Sequence, residues 1–168
     1  MRTAVVVGNP KPASRTLVAA LAVADAIEAA WGSSDRLVVD VATLGGSVLE
    51  WNSPEVERLN RAVAASDLII AASPTYKGTY TGLLKVFLDR YGNNGLGDTV
   101  AIPVMTGAAE THALACELHL RPLLIELVPT RGLFLAESTF ADLTTAISPW
   151  ASVALPRRRA LGGSASSA

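Results

Sequence analysis

The chain has 168 residues, a net charge of −1 and a hydrophobic content of 50%, which fits a single folded domain and excludes a disordered chain. The balance of charge also excludes the strongly basic surface typical of nucleic-acid-binding proteins, and no apolar run reaches the roughly 18 residues of a membrane-spanning helix. Cys116 has no second cysteine to pair with, and residues 1–7 predict a strand rather than a secretion signal, so we expect a cytoplasmic protein.

Apolar runs and segments of helical periodicity alternate along the chain. The runs rich in Val, Ile, Leu and Ala predict five strands, at residues 3–7, 37–41, 68–72, 100–105 and 132–136. Apolar residues at helical spacing predict five helices, at residues 15–31, 54–65, 81–91, 111–127 and 140–147. Ser14 and Pro54 stand where the N-cap of the first helix and the first turn of the second belong.

This alternation predicts a parallel sheet with helices on both faces, which is a three-layer α/β sandwich. For five strands we expect the order 2-1-3-4-5, in which a ligand lies beyond the carboxyl ends of the strands. The loops that reach this edge are residues 8–14, 73–80 and 106–110. We assign residues 1–150 to one domain and expect residues 151–168, which end in Arg, Gly, Ser and Ala without periodicity, to form a disordered tail.

The loop at residues 8–14 opens a helix and carries hydroxyl and cationic side chains. The N–H groups and partial positive charge of a helix N-terminus favour a phosphate, as do nearby hydroxyls and cations. The candidate phosphate ligands are Asn9, Lys11, Ser14, Arg15 and Thr16. A capped helix with a solvated basic pair explains the same residues. Because the glycine patterns of dinucleotide-binding and Walker A loops are missing, a monophosphate suits the loop better than a pyrophosphate.

The loop at residues 73–80 contains Tyr76 and Tyr80, two of the three tyrosines. An aromatic ligand at this loop would meet the Tyr76 ring, and the backbone N–H and C=O groups held by Pro74 and Gly78 could pair with its polar edge. The alternative is a compact surface loop whose tyrosines pack on the domain.

Three segments together resemble those of a known family. They are Gly8-Asn9-Pro10-Lys11 with Ser14-Arg15-Thr16, Ser73-Pro74-Thr75-Tyr76-Lys77-Gly78 with Thr81-Gly82-Leu83-Leu84-Lys85 and Asp89, and Thr106-Gly107-Ala108 with His112 and Leu120-Arg121-Pro122-Leu123. In this order and spacing they resemble the NADPH-dependent FMN reductases, which are flavodoxin-like proteins. The third segment is similar to the subgroup that supplies reduced FMN to two-component monooxygenases, such as those acting on alkanesulfonates.

The resemblance implies a flavodoxin-like FMN-binding reductase domain that transfers a hydride from NADH or NADPH to FMN, with a flavin-dependent monooxygenase as a partner. It implies that the FMN phosphate binds at Asn9, Lys11, Ser14, Arg15 and Thr16. It implies that the isoalloxazine ring lies against Pro74, Thr75, Tyr76, Lys77, Gly78, Thr106, Gly107 and Ala108. We expect no catalytic acid or base among the side chains, since the flavin itself carries the redox chemistry.

The leucine-rich helix predicted at residues 111–127 has apolar residues around much of its circumference. We therefore expect it to pack against the sheet on one side and against another subunit on the other, in a homodimer or tetramer. Pro122 is expected to bend this helix or shift its register. His112, Cys116 and His119 fall near one helical face, but the apolar surroundings favour packing over a metal site, with Cys116 buried.

Three other functions fit the same features. They are an FMN-retaining reductase of quinones, azo dyes or metal oxyanions, a flavodoxin-type electron carrier, and a flavin-free interaction module. Flavodoxin-type electron carriers are usually strongly acidic, whereas this chain has a net charge of −1. The chain lacks a Gly-x-Ser-x-Gly elbow and has two histidines, which argues against a hydrolytic triad.

Overall fold

The computed structural model describes residues 1–32, 35–92, 95–96, 99–124, 128–129 and 133–154. The strands in this part of the chain are β1 (Arg2–Val7), β2 (Asp35–Asp40), β3 (Leu68–Pro74), β4 (Val100–Gly107), β5 (Val128–Pro129) and β6 (Leu133–Ala136). The α-helices are α1 (Arg15–Trp31), α2 (Pro54–Ala64), α3 (Gly82–Leu88), α4 (Arg121–Leu123) and α5 (Leu143–Ala154). No helix among the described residues is long and apolar enough to cross a membrane.

Parallel pairing joins the strands into one sheet of order β2-β1-β3-β4-β5, and β6 pairs with β4 as well. The predicted flavodoxin-like α/β fold and strand order are therefore confirmed. The fifth position of the sheet, predicted as one strand at residues 132–136, holds two short strands. β5 pairs with the beginning of β4 and β6 with its end, while Gly132 lies outside the described residues.

Two apolar layers cover the sheet, because alternate residues of each strand point to opposite faces. Val5 and Val7 of β1 pack with α1 and α5 on one face. Ala4 and Val6 pack on the other face with α2, α3 and the helical segment after β4. All four residues have no exposed surface. Burial on both faces thus accounts for much of the Val, Ile, Leu and Ala content of the chain.

Side-chain caps begin the first three helices. Ser14 Oγ accepts an N–H of the first turn of α1 at 3.2 Å, as predicted. Ser53 caps α2 in the same way, with Pro54 at its first turn. Thr81 Oγ1 caps α3, so this helix begins at Gly82, one residue later than predicted.

The segment after β4 differs from the single helix predicted at residues 111–127. A 3₁₀ turn at Glu110–His112 leads to a π-helix at Cys116–Leu120 and then directly to α4. Pro122 has no N–H to donate and its ring crowds the preceding turn, so the wider π turn just before it is the expected shift in register. Residues 125–127 of the predicted helix lie outside the described residues.

Two further 3₁₀ segments, Val41–Leu49 after β2 and Glu137–Ala141 after β6, were not predicted. Their three-residue repeat is short and leaves no amphipathic stripe of the α-helical kind. The last helix, predicted at residues 140–147, is α5, which begins at Leu143, after the second 3₁₀ segment, and ends at Ala154, past the predicted domain boundary. Residues 155–168 of the predicted tail lie outside the described part of the chain.

Candidate functional site

The loops after β1, β3 and β4 meet at the carboxyl edge of the sheet and enclose a cleft of about 380 Å³. Eleven of the thirteen predicted site residues line it: Asn9, Lys11, Ser14, Arg15, Thr16, Pro74, Thr75, Tyr76, Thr106, Gly107 and Ala108. Lys77 and Gly78 do not line the cleft, whereas Ala13, Glu137 and Phe140, which were not predicted, do. The carboxyl edge of the sheet, where a ligand is expected in this fold, is therefore concave and polar.

Hydrogen bonds hold the loop after β1 from two sides. Within the loop, Asn9 Oδ1 accepts the backbone N–H of Lys11 at 2.9 Å. From the end of β2, Asp40 Oδ2 accepts the N–H of Ala13 at 2.9 Å. Ala13 has φ of 50°, a left-handed conformation that costs a residue with a Cβ roughly 1–2 kcal/mol. The loop thus keeps a strained shape that these two contacts stabilise.

A buried hydroxyl bridge joins the loop after β1 to the end of β4. Asn9 Nδ2 donates to Thr16 Oγ1 at 3.0 Å, and Thr16 Oγ1 shares a hydrogen bond of 2.9 Å with Thr106 Oγ1. The loop after β3 is tied to the same strand end, because the N–H of Thr75 donates to Thr106 O at 2.7 Å. Thr106 therefore connects all three loops.

The loop after β3 contains a tight hairpin rather than a rounded surface loop. Tyr76 and Thr79 pair in an isolated antiparallel β-bridge. Between them Lys77 and Gly78 have φ of 53° and 78°, as in a type I′ turn. Neither residue of this turn lines the cleft. Tyr80 packs against the core, whereas Tyr76 is 52% exposed and lines the cleft.

The start of α3 is fastened to the end of β1. Thr81 Oγ1 donates to Gly8 O, and Ser73 Oγ accepts the N–H of Thr81 at 2.9 Å. A Cβ at Gly8 would lie 2.3 Å from Leu84 Cβ and 2.6 Å from its Cα. Only glycine allows the strand and the helix to approach this closely.

The fourth wall of the cleft comes from the residues that follow β6. Glu137 Oε1 forms an ion pair with Arg15 Nη2 at 2.8 Å, and the guanidinium carbon of Arg15 lies 5.8 Å from the centroid of the Phe140 ring. Sequence reasoning missed this wall. Glu137 follows a predicted strand directly, so applying the carboxyl-end rule to the last strand would have found it.

Cys116 is almost fully buried, as predicted, and its sulfur lies 3.4 and 3.5 Å from the carbonyl oxygens of Pro103 and Leu133, either of which can accept the thiol proton. Burial raises the pKa of Cys116 to about 12, which keeps the thiol protonated and unreactive at neutral pH. His112 and His119 are exposed. Within the described residues no group of three His, Cys, Asp or Glu side chains could hold a metal ion.

Two larger cavities lie elsewhere. One of about 530 Å³ lies beside α2 and the end of α3 and includes Trp51 and Arg90. The other, of about 610 Å³, lies between α1 and α5. None of the three loops at the carboxyl edge contributes to either cavity, so volume alone does not identify the site in this fold.

Comparisons with known proteins show the family of the chain. The family model described as NADPH-dependent FMN reductase matches residues 1–141. The NADH-dependent FMN reductase SfnF of Pseudomonas fluorescens (strain Pf0-1) is 36% identical over 110 residues, which cover 63% of this chain and 59% of that protein. The FMN reductase (NADPH) of Pseudomonas aeruginosa is 36% identical over 124 residues, covering 69% of this chain and 64% of that protein. The matches thus span about three fifths of these relatives' length.

A solved structure supports the fold. The apo form of the NADH:FMN oxidoreductase EMOB superposes with a TM-score of 0.76 at 24% identity, covering 94% of this chain and 92% of that one. At this identity the likeness concerns the fold alone. It agrees with the strand order and the layers described above.

Proposed function

This chain belongs to the NADPH-dependent FMN reductase family, and we propose that it transfers a hydride from NADH or NADPH to FMN. One observation carries the proposal: residues predicted from three loops far apart in the sequence line one cleft at the carboxyl edge of the sheet. The cleft combines cations and hydroxyls on one wall with an exposed tyrosine and backbone on another, which fits a phosphorylated aromatic ligand.

The residues present fit FMN. Lys11, Ser14, Arg15 and Thr16 offer charge and hydroxyls to a phosphate. Thr75 Oγ1 is buried and has no hydrogen-bond partner among the described residues, so it has capacity for a polar group of the ring. A Cβ at Gly107 would lie 3.4 Å from that same oxygen and 3.2 Å from Phe134, so glycine keeps this part of the wall open. Residues 77 and 78, in the turn beside the cleft, remain proposed neighbours of the ring.

The chain's own part in the reaction is to bind, orient and stabilise. When bound, FMN would supply the redox chemistry, because its ring can accept a hydride from reduced nicotinamide. Backbone N–H groups of residues 106–108 are our candidates for stabilising the negative charge that the ring gains. Because the described cleft is the one site proposed, nicotinamide and electron acceptor would use it in turn. Ping-pong kinetics follow if FMN is retained, and sequential kinetics if it is a released substrate.

The test is the absorbance spectrum of the purified protein, followed by NADH and NADPH oxidation with and without added FMN. We expect FMN binding and nicotinamide oxidation that depends on FMN. An electron carrier would bind FMN but oxidise reduced nicotinamide slowly, and a flavin-free module would do neither. A protein that retains FMN could also oxidise reduced nicotinamide at a rate that added FMN does not increase. If a quinone or an azo dye does increase that rate, the result would favour a reductase of those acceptors.

Two matched cap substitutions separate binding from folding. Ser14→Ala and Ser53→Ala each remove an N-cap, so each should lower the free energy of unfolding by about 1 kcal/mol in urea denaturation. Ser14 lines the cleft and Ser53 does not. We therefore expect only Ser14→Ala to raise the Kd for FMN in isothermal titration. Equal effects of the two variants on the Kd would contradict a phosphate seat at this loop.

We further propose a homodimer or tetramer built through the segment at residues 111–127. Leu114 and Leu118, at and beside the π-helix, are 67% and 63% exposed. Exposed leucines adjacent on a helical surface are typical of a contact between subunits. The resemblance to reductases of two-component systems also supports delivery of reduced FMN to a partner monooxygenase, in the cytoplasm, where reduced nicotinamide is supplied.

Leu118→Glu is expected to lower the assembly state, because it would bury a carboxylate at the proposed contact. Light scattering should then give a smaller mass than for the unsubstituted protein. Leu49→Glu is the matched control, since Leu49 is 72% exposed and lies in another segment. A monomeric mass for the unsubstituted protein, or the same loss in both variants, would contradict this interface.

A further inference from the structure

One of the two cations at the proposed phosphate site, Arg15, already has an anionic partner. Arg15 lies in the first turn of α1, and Glu137 follows β6 on the facing wall of the cleft. Their 2.8 Å ion pair spans the cleft lining, and Phe140 lies beside the guanidinium. Both side chains keep contact with solvent, with exposures of 65% and 40%. A ligand can therefore reach the pair and exchange with one member of it.

A phosphate ester is the ligand for which this pair matters most. It carries a charge of about −1.5 to −2 near pH 7, and it would meet Lys11 and Arg15 together with the Glu137 carboxylate. Binding Arg15 requires that its contact with Glu137 be broken or shared. Either way the carboxylate then faces a like charge across a few ångströms, which opposes binding.

Resting on the proposed function, we propose that Glu137 competes with the 5′-phosphate of FMN for Arg15 and thereby keeps FMN exchangeable. Glu137 is thus a specificity-determining residue that acts through Arg15 and lowers the affinity for the phosphorylated flavin alone. Riboflavin, which has the same ring and no phosphate, does not compete with Glu137.

The test is a fluorescence titration of FMN and of riboflavin against the full chain and against Glu137→Gln. Because an ion pair this exposed is worth at most about 1 kcal/mol, we expect the Kd for FMN to fall about fivefold. The Kd for riboflavin should stay unchanged. Glu55→Gln, which removes one negative charge from an exposed position on α2, is the matched control and should leave both constants unchanged.

A double-mutant cycle identifies the route. In an Arg15→Gln background, Glu137→Gln should change the Kd for FMN by less than half as much as in the unsubstituted chain, since no guanidinium remains to compete for. An unchanged or weakened FMN affinity in Glu137→Gln overturns the inference, as does equal tightening of riboflavin or an undiminished effect in the Arg15→Gln background.

The two proposals fail differently. FMN binding by the unsubstituted chain without any effect of Glu137→Gln overturns the competition and leaves the proposed function standing. Absence of FMN binding by the unsubstituted chain overturns both. Thermal denaturation of each variant in the absence of flavin shows whether a changed Kd reflects unfolding. If Glu137→Gln is unfolded, Glu137→Met, which also removes the charge, takes its place and is judged by the same expected results.

Discussion

Gly8→Ala is expected to lower the free energy of unfolding by about 3 kcal/mol, at the upper end of the usual cost of overpacking. The added Cβ would lie 2.3 Å from Leu84 Cβ and 2.7 Å from its backbone nitrogen. A flexible side chain could rotate away, but a helix backbone can only move as a unit. The start of α3 would therefore shift away from β1, and the bond from Thr81 Oγ1 to Gly8 O would be disturbed.

Gly82→Ala is the matched control for that prediction. Gly82 lies at the start of α3, and a Cβ there would have no described atom within 4 Å. Alanine also has the higher helix propensity, so urea denaturation should show a free energy of unfolding unchanged or slightly increased. If Gly8→Ala proved as stable as Gly82→Ala, the close approach of β1 and α3 would be wrong.

The architecture and most of the cleft could be predicted because both depend on local signals. The Val, Ile and Leu runs of β1 and β3 need burial on both faces, which only a covered parallel sheet provides. Ser14 has a side chain that caps a helix, and it lies between a strand and an amphipathic segment. Once strands and helices alternate, the rule for the carboxyl edge brings the loops together without any knowledge of distances.

What the sequence did not predict depends on contacts between distant residues. The tight turn at Lys77 and Gly78 requires a positive φ at a residue with a Cβ, which no local preference for lysine indicates. The carboxyl-end rule brings the loops of Arg15 and Glu137 to the same edge of the sheet, but no spacing rule predicts that these two side chains form an ion pair. Pro122 predicted a disturbance of its helix, but whether it becomes a kink or a π-helix depends on how the neighbouring side chains pack on the sheet.

Thr16→Val is expected to weaken both folding and FMN binding, because it breaks the hydroxyl bridge beneath the cleft. Thr16 is 2% exposed and its hydroxyl contacts Asn9 and Thr106, which are also buried. Valine has nearly the same shape but leaves the Asn9 amide and the Thr106 hydroxyl without this partner. Unsatisfied buried groups of this kind should lower the free energy of unfolding by about 2 kcal/mol in urea denaturation.

Thr16→Val is expected to weaken FMN binding mainly because the hydroxyl bridge holds the loops of the cleft together, and not only because a contact with FMN is lost. Thr106 connects the three loops, so without the bridge the phosphate wall and the ring wall are no longer held in one register. We expect the Kd for FMN to rise about tenfold, which corresponds to roughly 1.4 kcal/mol.

Thr99→Val is the matched control, since Thr99 is 1% exposed, donates to Ser66 O at 3.1 Å and precedes β4 at the opposite edge of the sheet. It should lose about 1 kcal/mol of stability and keep its FMN affinity. A Kd raised equally by both substitutions would mean that the cleft responds to general loss of stability and that the bridge has no part in binding.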